Sequence, residues 1–199
     1  FSKINNKKIN LIDVKFKFSK TFDKISDKSN LYIAECFDVA LKLLKKKTFA
    51  GLINGPISKK NFLKKRYLGI TEYLASKTNN KNKVAMLIYN KKLSVSPITT
   101  HLPLKDVHKK ISKTKIVNQV KLIEQFYIKK FGKKPKIAIT GLNPHCESNY
   151  RTSEEKRIIE PAIKTLVMNK SKVYGPYAAD TIFIKEQSKN YDVIIGMYH

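Results

Sequence analysis

The sequence predicts an α/β fold with a largely parallel sheet, and three observations support this. Short apolar runs alternate along the chain with segments whose apolar residues recur at helical spacing. The connections between these segments are short, as in units where a helix links two parallel strands. The chain has 199 residues, 42% of them hydrophobic, which is enough for one domain or for two small lobes with cores of their own.

The first quarter of the chain is predicted to be mostly helical. Residues 31–47 should form a helix whose basic last turn suits the helix dipole. Its apolar stripe consists of Ile33, Phe37, Ala40, Leu41 and Leu44. A short buried strand is expected at 51–54, ended by the glycine-proline pair that follows it. Two short helices are expected at 58–65 and 71–77, separated by Gly69.

The middle of the chain is predicted to hold a hairpin and a long helix. Residues 83–89 and 93–97 have the composition of two strands, joined by a tight turn at 90–91. Apolar residues at helical spacing then predict a helix over 112–131, which Gly132 closes.

Strands and a kinked helix are predicted for the last third. Residues 135–140 should form a strand. A helix should start at Thr152, which has capping-box spacing to Glu155, and Pro161 should kink or restart it about two turns later. The final strand is expected at 191–197.

Excess positive charge is the main feature of the composition. Lysine and arginine number 41 against 15 acidic residues, a net charge of +26, but only three of the 41 are arginine. Proteins that bind nucleic acids rely on the planar arginine fork. We therefore favour a solvated lysine surface over a nucleic-acid interface. A basic nucleic-acid-binding module is the distant alternative, and it would bind with a steep salt dependence.

Cysteine usage and hydropathy bear on the compartment. Cys36 and Cys146 have neither metal nor disulfide spacing, which is typical of a reducing environment. No apolar run reaches the roughly 18 residues that span a bilayer, and the start of the chain, Phe1 to Asn6, has no signal-peptide core. We therefore expect a cytoplasmic protein without a membrane segment. Because the chain begins without Met and stops directly after an apolar run, we expect an internal fragment.

Three of the four histidines follow predicted strands. His101, His145 and His199 each come shortly after one of the last three strands. In open α/β sheets ligands bind outside the carboxyl ends of the strands, so three imidazoles delivered there could hold one divalent metal ion. Hydrogen-bonded loop histidines are the alternative, which spacing alone leaves open. His108 lies on a basic helix, and we assign it no role.

Several familiar motifs do not occur in the sequence. It contains no G-x-G-x-x-G turn, no G-x-S-x-G elbow and no C-x-x-C pair. A nicotinamide cofactor is therefore not expected to bind through a standard Rossmann turn in these residues. Cys146, beside His145, is either a reactive thiol or a small space-filling residue, and we favour the second. No residue is assigned as a catalytic acid, base or nucleophile.

From about residue 50 onward, motifs occur in a fixed order. They are GPISK at 55–59, GITEYLA at 69–75, TTHLPL at 99–104, LNPH at 142–145, EE at 154–155, IEPAI at 159–163, GPYAADT at 175–181 and MYH at 197–199. In these segments the chain resembles the 4-hydroxythreonine-4-phosphate dehydrogenase family of vitamin B6 biosynthesis. Each motif alone is a modest signal, so the resemblance rests on their order and spacing.

The resemblance implies a metal-dependent dehydrogenase. It implies that His101, His145 and His199 ligate one divalent ion, Zn²⁺, Mg²⁺ or Co²⁺, and that Thr71 contacts the substrate. It also implies a homodimer of two-lobed α/β/α subunits, similar to isocitrate and isopropylmalate dehydrogenases, with metal ligands from both subunits. The implied reaction oxidises 4-phosphooxy-L-threonine, a small phosphorylated amino acid, with NAD or NADP. The β-keto acid then loses carbon dioxide.

Two departures from the family pattern affect the substrate prediction. The histidine of the family's G-H-T-E segment is Ile70 here, and an isoleucine cannot donate a hydrogen bond. The glycine-rich stretch that follows the asparagine-proline-histidine motif is replaced over 146–150. Unchanged chemistry after drift is the interpretation we favour. A related dehydrogenase of a phosphorylated four-carbon sugar acid is the alternative.

The resemblance also predicts the domain organisation. Residues 1–68 would belong to the first α/β lobe, without its N-terminal section. Residues 69–199 would form the central lobe, without its C-terminal section. Because the family places much of its phosphate and cofactor site in the missing sections, we expect the 199 residues to be inactive by themselves.

Overall fold

The computed structural model of the chain describes residue 5 and residues 7–47, 49–64, 66–81, 83–146 and 150–199. Three predicted features lie wholly or partly outside these residues: the start at 1–6, of which residue 5 alone is described, the predicted helix end at Lys65, and 147–149 of the segment that departs from the family pattern. The chain divides into two compact units, Phe1–Tyr73 and Leu74–His199. The predicted division lies between residues 68 and 69.

The first unit is built around helix α1 (Asn30–Lys45), which confirms the helix predicted at 31–47. Phe37, on its apolar stripe, is buried. The Phe37 ring centre lies 6.0 Å from that of Phe62 and 5.3 Å from that of Tyr73. Phe62 ends the short helix α2 (Lys59–Phe62), so three aromatic rings from separate segments form a small core.

The strand predicted at 51–54 is wrong. These residues form no strand, and the side chain of Ile53 is fully exposed. A short apolar run becomes a strand only when its backbone pairs with another, and the run itself does not specify that partner. Helix α3 (Ile70–Lys77) confirms the predicted helix at 71–77.

The second unit contains a four-stranded sheet. Its strands are β1 (Ser94–Thr99), β2 (Ile137–Thr140), β3 (Val173–Tyr177) and β4 (Val193–Tyr198). They lie in the order β1-β4-β2-β3, and each neighbouring pair is parallel. The expected α/β fold with a parallel sheet is therefore confirmed. β3 was not predicted from the sequence.

Helices connect these strands. They are α4 (Leu104–Lys110), α5 (Lys113–Phe131), α6 (Glu160–Met168) and α7 (Lys185–Ser188). The long predicted helix is confirmed as α5, together with its two ends. The Ser112 hydroxyl accepts a hydrogen bond from the Lys115 amide at 3.2 Å, and Gly132 takes the left-handed conformation that closes a helix. Among the residues that the structure describes, no helix is long and apolar enough to cross a membrane.

The core follows the alternation of the strands. Successive residues of a strand point to opposite faces, and here Ile137 and Ile139 join one apolar cluster while Ala138 joins another. The larger cluster combines β1, β2 and β4 with the apolar faces of α4, α5 and α6. The sheet is thus held rigidly by buried packing, and its strand ends are fixed points for the residues that follow them.

The predicted hairpin partner of β1 is reduced to one bridge. Ile88 pairs with Val95 through two backbone hydrogen bonds, and 83–89 forms no strand. Pro97, two residues further along β1, has no N–H to continue the ladder. The Met86 carbonyl accepts from the Ser96 hydroxyl, and the Pro97 carbonyl accepts from the Gln119 side chain at 2.8 Å. Side chains therefore replace the backbone ladder at this edge.

The helix predicted from Thr152 begins differently. A π-helical turn (Glu155–Ile159) leads directly into α6, and Pro161 occupies the first turn of α6, so the predicted restart is confirmed. The predicted capping box is wrong. Ser153, rather than Thr152, accepts from the Lys156 amide at 3.4 Å, and the Glu155 carboxylate binds a distant loop.

Asp192 joins the starts of β2 and β4 and provides a test of stability against pH. Its carboxylate accepts from Lys133 Nζ and from the Lys136 amide, both at 2.8 Å. Burial alone would raise the pKa of Asp192, but these lysine contacts outweigh burial and lower it. Asp192→Asn should therefore reduce the free energy of unfolding by about 1 kcal/mol at pH 7, as measured by denaturant titration.

The sign of this effect fixes its pH dependence. A group with a lowered folded-state pKa stabilises the protein at pH values above its unfolded-state pKa, which is about 3.9 for an aspartate. This stabilisation disappears as the pH falls through the folded-state pKa. The difference between wild type and variant should be constant from about pH 7 to 5 and narrow below about pH 4. Asp106→Asn, which removes only a 3.6 Å surface pair with Lys109, is the control and should change little. A gap that persists in acid would contradict the assignment.

Candidate metal centre

The three histidines singled out above lie at one edge of the sheet. His101 follows β1, His145 follows β2 and His199 follows β4. These three strands are adjacent in the order β1-β4-β2 and run parallel, so their carboxyl ends lie at the same edge. This is the edge at which open α/β sheets bind ligands.

His101 and His199 are brought together. β1 and β4 end in register, with Thr99 paired to Tyr198, and the buried Thr99 hydroxyl donates to the Met197 carbonyl at 2.8 Å. The two imidazole ring centres consequently lie 6.2 Å apart. Two imidazoles that bind one tetrahedral ion through nitrogen, at about 2.1 Å, have ring centres about 5.3 Å apart. The two rings are therefore close to the separation of shared ligands, and they would have to approach by about 1 Å to bind one tetrahedral ion.

His145 has a different partner in this chain. It lies in a 3₁₀ turn (Pro144–Cys146), and its Nδ1 atom is 3.0 Å from Asp180 Oδ2. At this distance Nδ1 can donate a hydrogen bond to the carboxylate, and the other ring nitrogen, Nε2, then points away from Asp180. Metal-binding histidines commonly have such a carboxylate partner. Asp180 follows β3 and was not predicted as a site residue.

Two of these histidines have unusual backbone conformations. His101 has a φ of 54° and His145 a φ of 52°, both in the left-handed region that non-glycine residues seldom adopt. Such conformations cost about 1 to 3 kcal/mol and often occur at functional sites, where surrounding contacts enforce them. The strand ends thus present these two side chains at some energetic cost.

Within one chain the three histidines do not form a complete cluster. Across the described ranges, no group of three His, Cys, Asp or Glu side chains is close enough to hold a metal ion. The chain itself therefore supplies one pair of imidazoles and one separate, oriented imidazole. The chemistry of these donors suits a borderline ion such as Zn²⁺ or Co²⁺.

The loop before His145 is anchored by a buried glutamate. Glu155 Oε1 accepts from the backbone amides of Leu142 at 2.8 Å and Asn143 at 2.9 Å, and Oε2 accepts from the Asn143 side chain at 2.8 Å. Burial by itself would raise the pKa of Glu155, but the hydrogen bonds from Asn143 and Leu142 outweigh it and lower the pKa. The carboxylate is thus held in its charged form. No local sequence signal indicates this contact, because its partners lie twelve or more residues away.

Cys146 lacks the surroundings of a reactive thiol. Burial raises the pKa of the Cys146 thiol, and the charge of Glu155 raises it further. A nucleophilic cysteine requires the opposite, a lowered pKa next to positive charge. The structure therefore favours the space-filling interpretation.

The remaining predicted residues lie elsewhere in the chain. Thr71, the predicted substrate contact, is exposed in the first turn of α3, and Ile70 begins that helix. Both belong to the first unit. His108 lies on α4 and is exposed, and we assign it no site role.

Each unit has a cavity lined by residues that the structure describes. The larger, about 960 Å³, is in the first unit and is lined by Pro56, Ile57 and Ser58 of the GPISK motif together with residues 16–33. The smaller, about 270 Å³, lies at the carboxyl ends of β2 and β4 and is lined by Thr140, Tyr198 and His199 among mainly apolar neighbours. The smaller cavity adjoins the edge of the sheet where the three histidines lie. We therefore take this edge as the candidate site, although its cavity is the smaller of the two.

Comparison with known proteins gives a consistent result. Residues 2–199 match the family described as pyridoxal phosphate biosynthetic protein PdxA. A 4-hydroxythreonine-4-phosphate dehydrogenase of Sulfurihydrogenibium is 40% identical over 195 residues, 96% of this chain and 58% of the relative. One from Neisseria meningitidis serogroup A is 34% identical over 183 residues, 88% of this chain and 55% of the relative.

Solved structures agree with the sequence comparison. The crystal structure of 4-hydroxythreonine-4-phosphate dehydrogenase from Klebsiella pneumoniae superposes with a TM-score of 0.78 at 28% identity, over 88% of this chain and 55% of that chain. The fold expected from the sequence, that of the isocitrate dehydrogenase-like enzymes, is thereby confirmed. The chain spans little more than half the length of these relatives.

Proposed function

Because the chain belongs to the pyridoxal phosphate biosynthetic protein PdxA family, we propose that it forms part of a 4-hydroxythreonine-4-phosphate dehydrogenase. The observation that supports this most is the placement of three histidines on adjacent parallel strands, two of them with ring centres 6.2 Å apart. The reaction proposed is the oxidation of 4-phosphooxy-L-threonine with NAD or NADP, followed by decarboxylation to 3-amino-2-oxopropyl phosphate.

The electron and proton balance of the proposed reaction is simple. Hydride leaves the secondary carbinol carbon for the nicotinamide ring, and the hydroxyl proton leaves the oxygen, which gives a β-keto acid. The bond to the carboxylate carbon then breaks with loss of carbon dioxide, and the carbanion equivalent takes up a proton. Both steps build negative charge on the same substrate oxygen, so both need positive charge beside it.

We propose that His101, His145 and His199 hold one divalent metal ion, Zn²⁺, Mg²⁺ or Co²⁺. When bound, such an ion supplies Lewis acidity to the oxidation and the decarboxylation. Neutral imidazoles bring no negative charge of their own, so they leave the positive charge of the site available to an anionic substrate. The Asp180 carboxylate, 3.0 Å from His145 Nδ1, orients that ring and leaves its Nε2 atom available to bind the metal ion.

A second copy of the chain is part of the proposal. His101 and His199 lie together while His145 lies with Asp180, and no three-ligand cluster forms within the described part of a single chain. We propose a homodimer in which ligands from both subunits complete each site. The first unit would contribute Thr71 to the substrate, and the two units would correspond to parts of the first and the central α/β lobes.

An activity assay tests the proposed function, and it uses the longest natural gene product that contains these residues. With 4-phosphooxy-L-threonine, NAD or NADP should be reduced, as followed by absorbance of the reduced nicotinamide. Removal of metal with a chelator should abolish turnover, and return of Zn²⁺, Mg²⁺ or Co²⁺ should restore it. Full turnover by protein shown to be metal-free would contradict the proposal.

A phosphorylated four-carbon sugar acid serves as the second substrate in this test. Ile70, in place of the family's histidine, is the observation that favours such a substrate. A preference for 4-phosphooxy-L-threonine of more than about tenfold in kcat/KM, or about 1.4 kcal/mol, would reject the sugar-acid alternative. The reverse preference would establish it.

A further inference from the structure

The loop that carries His145 is fixed by a buried carboxylate that the proposed reaction does not use. We propose that Glu155 is a positioning residue, which holds the backbone of Leu142 and Asn143 and so determines where the His145 imidazole is presented. This inference rests on the proposed function, because it concerns the same metal site. It adds a residue that acts on the site through the loop.

Glu155 has the contacts that such a role requires. Its side chain is fully buried, at 0% exposure. Its carboxylate accepts hydrogen bonds from the backbone amides of Leu142 and Asn143 and from the side-chain amide of Asn143, all at 2.9 Å or less. Hydrogen bonds to a charged acceptor are shorter and stronger than neutral ones, and burial away from water increases their strength.

Asn143 transmits this restraint to His145. Its N–H and its side chain are bound by Glu155, and its carbonyl accepts from the Cys146 amide at 3.0 Å. His145 lies between the two ends of this last hydrogen bond, in the left-handed conformation. The backbone on both sides of His145 is therefore linked through Asn143, which is held by Glu155 and, through its side chain, by Glu154 at 3.1 Å.

Gly141 shows how closely the carboxylate approaches the loop. A Cβ atom added at Gly141 would lie 2.9 Å from Glu155 Oε1 and 2.6 Å from Cys146 Sγ. Atoms at these distances would have to move, so the absence of a side chain lets Glu155 and Cys146 reach the backbone. The end of β2, Glu155 and the turn around His145 are consequently packed as one unit.

The substitution Glu155→Gln tests the role with almost no change in size. Glutamine keeps one oxygen that can accept from the two backbone amides, but it loses the charge, and its NH₂ group replaces the oxygen that accepts from the Asn143 side chain, so two donor groups would face each other there. Loss of a group that bonds a metal ligand directly weakens metal binding about 10- to 100-fold, and for Glu155, which acts through the loop backbone, the expected decrease lies at the lower end, about tenfold. We expect that decrease in Zn²⁺ affinity, measured by competition with a chromophoric chelator on the longest natural gene product that contains these residues.

Glu160→Gln is the matched control. Glu160 begins α6, five residues after Glu155, and its carboxylate is paired with Lys156 at 3.1 Å. The control removes the same charge from the same part of the chain without touching the loop. Its Zn²⁺ affinity should equal that of wild type, and thermal unfolding of all three proteins shows that each is folded at the temperature of the titration.

A second measurement does not depend on metal. In metal-free protein, the ¹⁵N shifts of the His145 imidazole report which ring nitrogen carries the proton. Wild type and Glu160→Gln should show a fixed Nδ1–H ring, and Glu155→Gln should show averaged tautomers together with faster hydrogen exchange at Leu142 and Asn143. Unchanged His145 shifts in a folded Glu155→Gln protein would overturn the positioning role. Failure of wild type to bind Zn²⁺ would instead count against the proposed function.

Discussion

Replacing His145 with alanine should lower turnover of 4-phosphooxy-L-threonine about a thousandfold or more. The expected loss follows from the proposed role of His145 as one of three metal ligands. Metal Lewis acidity contributes several kcal/mol to stabilising charge in a transition state, and about 4 kcal/mol corresponds to a thousandfold in rate. The measurement is kcat/KM together with the metal content of the purified variant, because loss of the ligand should lower both.

His108→Ala is the control for this experiment. His108 is exposed on α4 and lies in a basic segment, so its removal should leave metal content and turnover within about twofold of wild type. The two variants differ only in which imidazole is lost. Equal turnover of His145→Ala and His108→Ala, at full metal content in both, would contradict a role for His145 as a ligand.

The apolar patterns of the sequence were sufficient to predict the elements that contribute most of the buried side chains. Helix α5 and strands β1, β2 and β4 occur where the apolar pattern places them, because each packs that pattern against the larger apolar cluster of the second unit. Helix α1 also occurs where predicted, and it buries Phe37 against Phe62 and Tyr73 in the first unit. The end signals of α5 were also readable. The Ser112 cap and the Gly132 closure are local features, which need no knowledge of the rest of the chain.

The elements that periodicity missed depend on partners that are remote in sequence. β3 contains Gly175 and Pro176, two residues that disfavour strands, and the sheet tolerates them because β3 is its edge strand. The strand predicted at 83–89 does not form, because its intended partner, β1, cannot continue the backbone ladder. Pro97 in its intended partner cannot donate to it, and side chains of α5 and β1 take the carbonyl groups instead.

The site shows the same division between local and remote information. The positions of His101, His145 and His199 after strands were readable, since each depends only on the strand before it. Asp180 and Glu155 were not assigned roles, because their importance lies in contacts with residues 12 to 35 positions away. The Glu155 signal was in fact misleading, as its spacing from Thr152 suggested a helix cap.

Replacing Gly175 with alanine should reduce the free energy of unfolding by about 3 kcal/mol or more. Gly175 has a φ of 126°, which side chains seldom permit, and an added Cβ would collide with the backbone carbonyl oxygen of Ile139. Ile139 lies in the middle of β2, so it cannot move without disturbing the pairing with β4. Denaturant titration with a second probe for β-structure measures the loss.

Gly132→Ala shows the cost of a positive φ where the added Cβ meets no neighbour. Gly132 also has a positive φ, of 67°, but nothing lies within 4 Å of an added Cβ, so alanine there meets only the conformational cost of about 1 to 2 kcal/mol. The difference between the two variants therefore contains the contact with Ile139 and the larger backbone cost of an alanine at φ 126°. Because the register of β2 and β3 shifts between Ala138 and Thr140, the strands have an irregularity beside Gly175 that could widen. Equal destabilisation by the two alanines would show that the strands move apart at this irregularity and so avoid the contact. It would contradict the expectation that the Ile139 carbonyl oxygen cannot move away from an added Cβ at Gly175.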